Sequence, residues 1–420
     1  MKILLKQVTI ADPLSPHNGF VKDILISNGS VEKIADSLEE TGLPATLTGL
    51  TVSPGWVDIF SHFCDPGLEY RETLESGAAS AAAGGYTQVF TLPNTNPAIQ
   101  SKSQVEYIVQ KSASLPVTVR PLGAVTKELE GNELAEMYDM RASGAVAFSD
   151  GINPVQLPGL MLKALQYVKA FNGVIIQVPL DKSIGKHGLM NEGIISTRLG
   201  LPGIPAIAEE LIIQRDIELL KYTGSKLHIT GVSTEKGLQL IQAAKDVGLD
   251  ITCSIAPYQV FFCDEDLQGY DTNLKLSPPL RTRADMMALR EGVKSGLIDC
   301  IASHHIPQNW DSKTCEFEYA KNGMISLQTA FAAVNTAVPG LTGNRLTELF
   351  SLNARKIFNL PLATVNEGEK AELTLFAPGA GFMLQKAAIK SRSYNTPFIG
   401  MSLTGKVAGI VAKGNVIING

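Results

Sequence analysis

Asp58-Ile59-Phe60-Ser61-His62-Phe63-Cys64-Asp65-Pro66-Gly67 decides how this chain is read. It follows a short apolar run, Gly49 to Val57, that Pro54-Gly55 interrupts. Side chains of a strand alternate between faces. The spacing therefore puts Asp58, Phe60, His62 and Cys64 on one side and Ile59, Ser61 and Phe63 on the other. Pro66-Gly67 ends the strand in a turn. A His-x-Cys pair on one face can hold zinc. The same pair also suits a strand-end histidine beside an inert buried thiol.

Outward from this stretch, the middle of the chain alternates short apolar runs with helical patterns. The runs are Thr87–Leu92, Val117–Leu122, Ala145–Phe148, Val174–Val178, Leu227–Thr230, Ile251–Ile255 and Cys300–Ser303. Helical spacing lies between them, as over Glu75–Ala83 and Ser233–Val247. Repeated β-then-α units predict a parallel sheet, and their span fits a (β/α)8 barrel, with a doubly wound sheet as the alternative. The two ends are strand-rich instead. Ser27-Asn28-Gly29-Ser30 is a hairpin turn, and Gly405–Ile418 reads as a hairpin with Lys413-Gly414-Asn415 at its bend. One small composite β-sandwich domain is expected from residues 1–53 and 366–420, around a barrel of residues 54–365.

Composition excludes several function classes. A chain of 420 residues with 45% hydrophobic and 18% charged residues can bury a large core. A net charge of −5 without a basic run offers nothing to nucleic acid. No apolar stretch is long enough to span a membrane, and Met1–Lys6 is too short and interrupted for a signal peptide. The five cysteines (64, 253, 263, 300 and 315) lack paired spacing, which predicts reduced thiols in a cytoplasmic protein.

Several stretches together resemble the dihydroorotase branch of the amidohydrolase superfamily. They are the opening strand, Gly84-Gly85-Tyr86-Thr87, Leu92–Pro97, Gly188–Gly193, Leu199–Ala206, Tyr270–Thr282 and Ser393–Gly400. The resemblance implies the amidohydrolase (β/α)8 barrel. It also implies a reaction in pyrimidine synthesis that opens or closes a cyclic amide. Amides are poor electrophiles, so zinc supplies hydroxide and polarises the carbonyl. An aspartate moves the proton and an arginine neutralises the substrate carboxylate.

Residue by residue, the match is incomplete. The family strand Asp-x-His-x-His-x-Arg has Phe60 at its first zinc histidine, His62 at its second and Cys64 at its arginine. Asp150 remains near the metal-bridging aspartate. Gln177 and Gly231 stand at two further zinc histidines, and His304 replaces the proton-shuttling aspartate. His228 matches an upstream histidine that is not counted as a ligand. Asn94 and Asn273 are the substrate-binding candidates by resemblance, although both also suit turn capping. His304 and His305, being adjacent, face opposite ways, so at most one joins a shared site.

The expectation is a dihydroorotase-like protein without a catalytic residue of its own and without a cofactor. Its role would then be that of a structural partner of aspartate transcarbamoylase, and it is expected to form a homo-oligomer. Two alternatives stay open. One is an active cyclic amidohydrolase with a rearranged, mononuclear zinc at His62, Cys64, Asp150 and His304. The other is a regulatory protein binding a ligand related to dihydroorotate.

Overall fold

The computed structural model describes residues 2–39 and 46–419. Its centre is a ring of parallel strands. Trp56–Ser61, Tyr86–Thr91 and Thr118–Pro121 form one arc, and Ile175–Gln177, Leu227–Thr230, Ile251–Ile255 and Cys300–Ile301 form the other. Phe148 joins the arcs, bridging Gly123 on one side and Ile175 on the other. Ala145–Phe148, expected as a strand, thus contributes a single bridging residue. At the far seam Ser61 bridges His305, and the His62 N–H donates to the His305 carbonyl at 2.8 Å. The ring closes, which excludes the open doubly wound sheet.

Alternation along the staves builds two cores. Phe90, Leu122, Ile176, Val178 and Ala302 fill the barrel interior, with Phe358 set edge-on to Phe90 at its floor. Val89, Val119, Ile175, Ile229 and Ile255 face the surrounding helices. Those helices start where the sequence provides caps. Thr73 and Ser76 form a capping box for Leu74–Ala83, and Thr234 caps Glu235–Asp246.

Both termini build one eight-stranded sheet in the order Asn415–Ile418, Ser402–Ala412, Leu373–Met383, Thr51–Pro54, Lys2–Ile10, Val21–Ser27, Ser30–Ala35, with Thr46–Thr48 pairing off Lys2–Ile10. Its core joins Ile3, Leu5 and Ile24 to Leu373, Leu375 and Val411. Two-residue turns at Asn28-Gly29 and Lys413-Gly414 have positive φ at both positions, the backbone twist that tight hairpins need. Asn415 already pairs with Ala412, so the second bend is one residue shorter than the sequence suggests.

The small domain is held to the barrel by a buried charge cluster. The Arg355 Nη2–H donates to the Gly55 carbonyl at 2.9 Å and to Glu372, which also accepts from Thr87 and Gln88. Burial pushes Glu372 up, but Arg355 and these donors outweigh it and hold the carboxyl below its usual value. Removing one partner strands the other charge in a low-dielectric setting. Arg355→Met should therefore lower the unfolding free energy by about 3 kcal/mol, read as a fall in the urea midpoint.

Candidate functional site

The first strand is irregular where it matters. The Ser61 hydroxyl donates to Asp58, three residues back, which a regular strand forbids; the pairing register shifts between the two. Phe60 joins Ile59 in the barrel interior rather than opposing it. The simple two-sided alternation fails there, because a register irregularity rotates the chain between residues 58 and 61. Beyond it, His62 and Cys64 do meet, at 2.7 Å from Nδ1 to Sγ.

His62 has no nitrogen to spare. Its Nε2 lies 2.9 Å from the Asn94 carbonyl oxygen, which can only accept, so Nε2 carries the proton. Nδ1 then accepts the Cys64 thiol hydrogen. Burial, helped by the Arg71 charge, pushes His62 down to about 3, and burial pushes the Cys64 thiol up to about 12. A neutral ring and a protonated thiol satisfy each other.

Asp150 is turned away from His62. Its oxygens accept from the Val125 and Thr126 N–H groups, each at 2.9 Å, and from the Thr126 hydroxyl. Burial pushes its carboxyl up to about 6 against these donors. Asn94 links the two loops. Its Nδ2–H donates to the Asp150 carbonyl at 3.0 Å, and its own carbonyl receives His62. Asn94 therefore acts here as a loop clamp.

His304 is buried against Phe60 and Gly231. Its backbone is left-handed, at φ 47, and its ring stacks on Phe60 with centroids 4.4 Å apart. Gly231 lies directly beneath. A Cβ there would stand 2.7 Å from His304 Cε1, on a backbone already at φ +74. The two positions are sterically linked: the histidine at 304 sits where a side chain at 231 would enter. His305 turns the other way, 3.2 Å from Glu72.

A directed chain of hydrogen bonds runs under this stack, unannounced by any motif. Thr252 donates to His228 Nδ1 (2.8 Å), His228 Nε2 to Ser254 (2.9 Å), Ser254 to Thr230 (2.8 Å), and Thr230 to His304 Nε2 (2.9 Å). Burial pushes both His228 and His304 down to about 3. His228 and Thr230 on one strand, and Thr252 and Ser254 on the next, each lie two residues apart, the one sequence signal that could have revealed them.

Gln177 does not face the mouth at all. Its amide pairs with the Val155 backbone, at 3.1 Å and 3.3 Å, on the helix side of its strand. Asn273 also leaves the group. It lines a separate cavity, whereas Ser277 of the same loop lines the mouth cavity of ≈ 820 Å³ together with Lys182, Tyr258 and Asn322. Among the described residues no three His, Cys, Asp or Glu side chains gather as a metal site. The donors present do not fit a two-zinc centre: His62 is held by Cys64 and Asn94, Asp150 by Val125 and Thr126, and His304 by Thr230 and the Phe60 face.

Two outcomes follow from this packing. Gly231→His should destabilise the protein by about 1–3 kcal/mol, through strain at a left-handed position and the clash with His304. Gly231→His/His304→Ala should recover part of that loss in urea unfolding. Second, His228 and His304 are held below the unfolded value near 6.5. Their stabilising contribution is complete above that pH and is lost as pH falls toward the folded values. Each should steepen the loss of stability below pH 6.5 by about 1.4 kcal/mol per pH unit, and His228→Gln should flatten that slope.

Known proteins agree with this fold and locate the chain among them. A family model described as dihydro-orotase-like matches residues 49–237. The dihydroorotase of Syntrophus aciditrophicus is 39% identical over 99% of both chains, and that of Acetivibrio thermocellus is 39% identical with the same coverage. Among solved structures, the L-hydantoinase (dihydropyrimidinase) of Arthrobacter aurescens superposes with a TM-score of 0.85 at 24% identity, covering 99% of this chain and 97% of its own. A D-hydantoinase superposes at 0.83 with 19% identity, covering 100% and 95%. These two speak for the amidohydrolase barrel alone. With identity sustained from end to end, the chain belongs to the dihydroorotase family.

Proposed function

We propose that this protein serves pyrimidine biosynthesis as a dihydroorotase-family member whose barrel mouth does not carry the two-zinc reaction, and that it acts as a structural partner of aspartate transcarbamoylase. The observation that carries the first half is the packed trio of Phe60, His304 and Gly231, with His304 Cε1 2.7 Å from where a Cβ at 231 would stand. Hydrolysis of a cyclic amide needs a Lewis acid with an open position and a base for the nucleophile. His304 is buried, neutral and committed to Thr230. Cys64, held as a thiol, offers no charge to a substrate carboxylate where an arginine would form a bidentate pair. The second half rests on a frame kept end to end while these groups are gone. No helix among the described residues is long and apolar enough to cross a membrane, and the five cysteines are free, four of them buried. A cytoplasmic setting suits both facts.

A second reading is favoured by the relatives themselves, since full-length proteins at 39% identity carry the name dihydroorotase. On that reading the chain hydrolyses a cyclic amide C–N bond at a single zinc. His62 and Cys64 would supply the first donors, and Asp150 and His304 would turn toward them. It requires the Cys64 thiol to ionise, which a bound zinc ion enforces on a coordinating thiol. A third role, binding a ligand related to dihydroorotate without turnover, would use the mouth cavity.

Three measurements on purified protein separate these readings. Elemental analysis after dialysis should find well under one zinc per chain, and dihydroorotate hydrolysis should be at background. Stoichiometric zinc together with turnover abolished by His62→Ala would establish the second reading instead. Gel filtration of a mixture with aspartate transcarbamoylase from the same cell should give a joint peak at micromolar concentration, as an interface above about 1,000 Å² would. Separate elution with unchanged transcarbamoylase activity would remove the partner role.

A further inference from the structure

A second cavity, of ≈ 440 Å³, lies beside the barrel mouth. Its walls come from the loop of Thr272 and Asn273, the loop after the last barrel strand, and the segment from Lys386 to Ile399. Lys313, Lys386 and Arg392 line it together with Tyr70, Trp310 and Tyr394, and no carboxylate is among the lining residues. The volume lies within the roughly 300–1,000 Å³ usual for small-molecule sites.

Lys313 is the built part. The residue is 8% exposed, and its amine donates to the Thr272 carbonyl at 2.7 Å. Burial pushes that amine down to about 7, with Asp271 supporting the charge from further off. A buried ammonium whose counter-charge is only distant is costly, and an incoming anion would relieve it. The other two cations stand at the rim. The Lys386 amine lies over the Tyr394 ring at 5.2 Å, and the Arg392 backbone is fixed by donating to Glu72 at 2.9 Å. The same walls carry exposed aromatic side chains: Trp310 is 75% exposed, Tyr70 57% and Tyr394, under Lys386, 49%. Exposed rings and cations lining one cavity give a flat, charged ligand both a stacking surface and an anion site.

We propose that this cavity binds a small ring-bearing anion, a phosphate or carboxylate attached to a planar ring. Lys313, Lys386 and Arg392 hold the anionic group, with Lys386 seated over Tyr394, and Tyr70 and Trp310 stack against the ring. The site uses neither His62 nor His304, so it holds under either reading of the barrel mouth.

The protein carries its own reporter. Of the two tryptophans, Trp56 is fully buried and Trp310 stands at the cavity. Full-length protein is titrated with phenyl phosphate, benzoate and inorganic phosphate, following tryptophan emission and heat. Saturable quenching by one of the ring-bearing anions is expected, and the stronger of the two names the anionic group. Inorganic phosphate should bind at least about tenfold more weakly, because it lacks the stacking contribution. Trp310→Phe should remove the optical signal while heat persists. Lys313→Met should abolish binding. Because that change is buried, the rim variant Lys386→Gln/Arg392→Gln is the independent check, and it should weaken binding about tenfold or more. The proposal is overturned if neither aryl anion saturates at millimolar concentration, if inorganic phosphate binds as well as they do, or if the rim variant binds unchanged.

Discussion

The structure depends on how the first barrel strand is tied to the last. Asp58, fully buried, accepts from the Ser303 N–H at 2.6 Å and from the Ser303 hydroxyl at 2.9 Å, and it also receives Ser61. Burial pushes this carboxyl up, and the three donors work against that push. A carboxylate so placed is tolerated only while every one of them stays in position. The tie therefore fixes the seam, and the seam fixes where Phe60, His62, His304 and His305 can stand. It also accounts for the strand's irregularity, since Ser61 must turn back to reach Asp58.

From that seam the mouth is filled rather than merely emptied. Each polar side chain there has a protein partner: His62 with Cys64 and Asn94, Asp150 with Thr126, His304 with Thr230 and the Phe60 face. The chain of hydroxyls and imidazoles from Thr252 to His304 has one consistent direction, so its three inner members, His228, Ser254 and Thr230, each donate once and accept once. Buried polar networks of this kind are stable when complete and costly when broken. The mouth thus behaves as a packed core with polar stitching, beside a larger cavity lined by Lys182, Tyr258 and Asn322.

Charge placement separates the parts of the molecule. Arg355 and Glu372 bind the terminal sheet to the barrel through a pair in which the arginine is buried and the carboxylate partly buried, with neutral donors around it. Lys313 is the contrary case, a buried cation within reach of a backbone carbonyl and of no close carboxylate. One arrangement is closed on itself and serves cohesion. The other is open toward a cavity, and it gives the molecule a feature that cohesion does not explain.

Much of this was written in the sequence. Strand runs at regular spacing, hairpin turns such as Asn28-Gly29, and strand-rich ends determine a parallel β/α middle with a sheet at both termini, because period and turn chemistry are local properties, whereas the closure of that middle into a ring was decided by the Ser61–His305 and Phe148 bridges. The replacements at 60, 177, 231 and 304 are also legible there, by resemblance. What a line of residues does not contain is the partner of each side chain. Gln177 faces Val155 on the helix side, Asn273 leaves the mouth for another cavity, and Asp150 spends its oxygens on Thr126. That His304 fills the space above Gly231 was decided only when residues 73 positions apart in sequence were brought together by the closing ring. Excluded volume acts between neighbours in space, and only the tertiary fold says who those neighbours are.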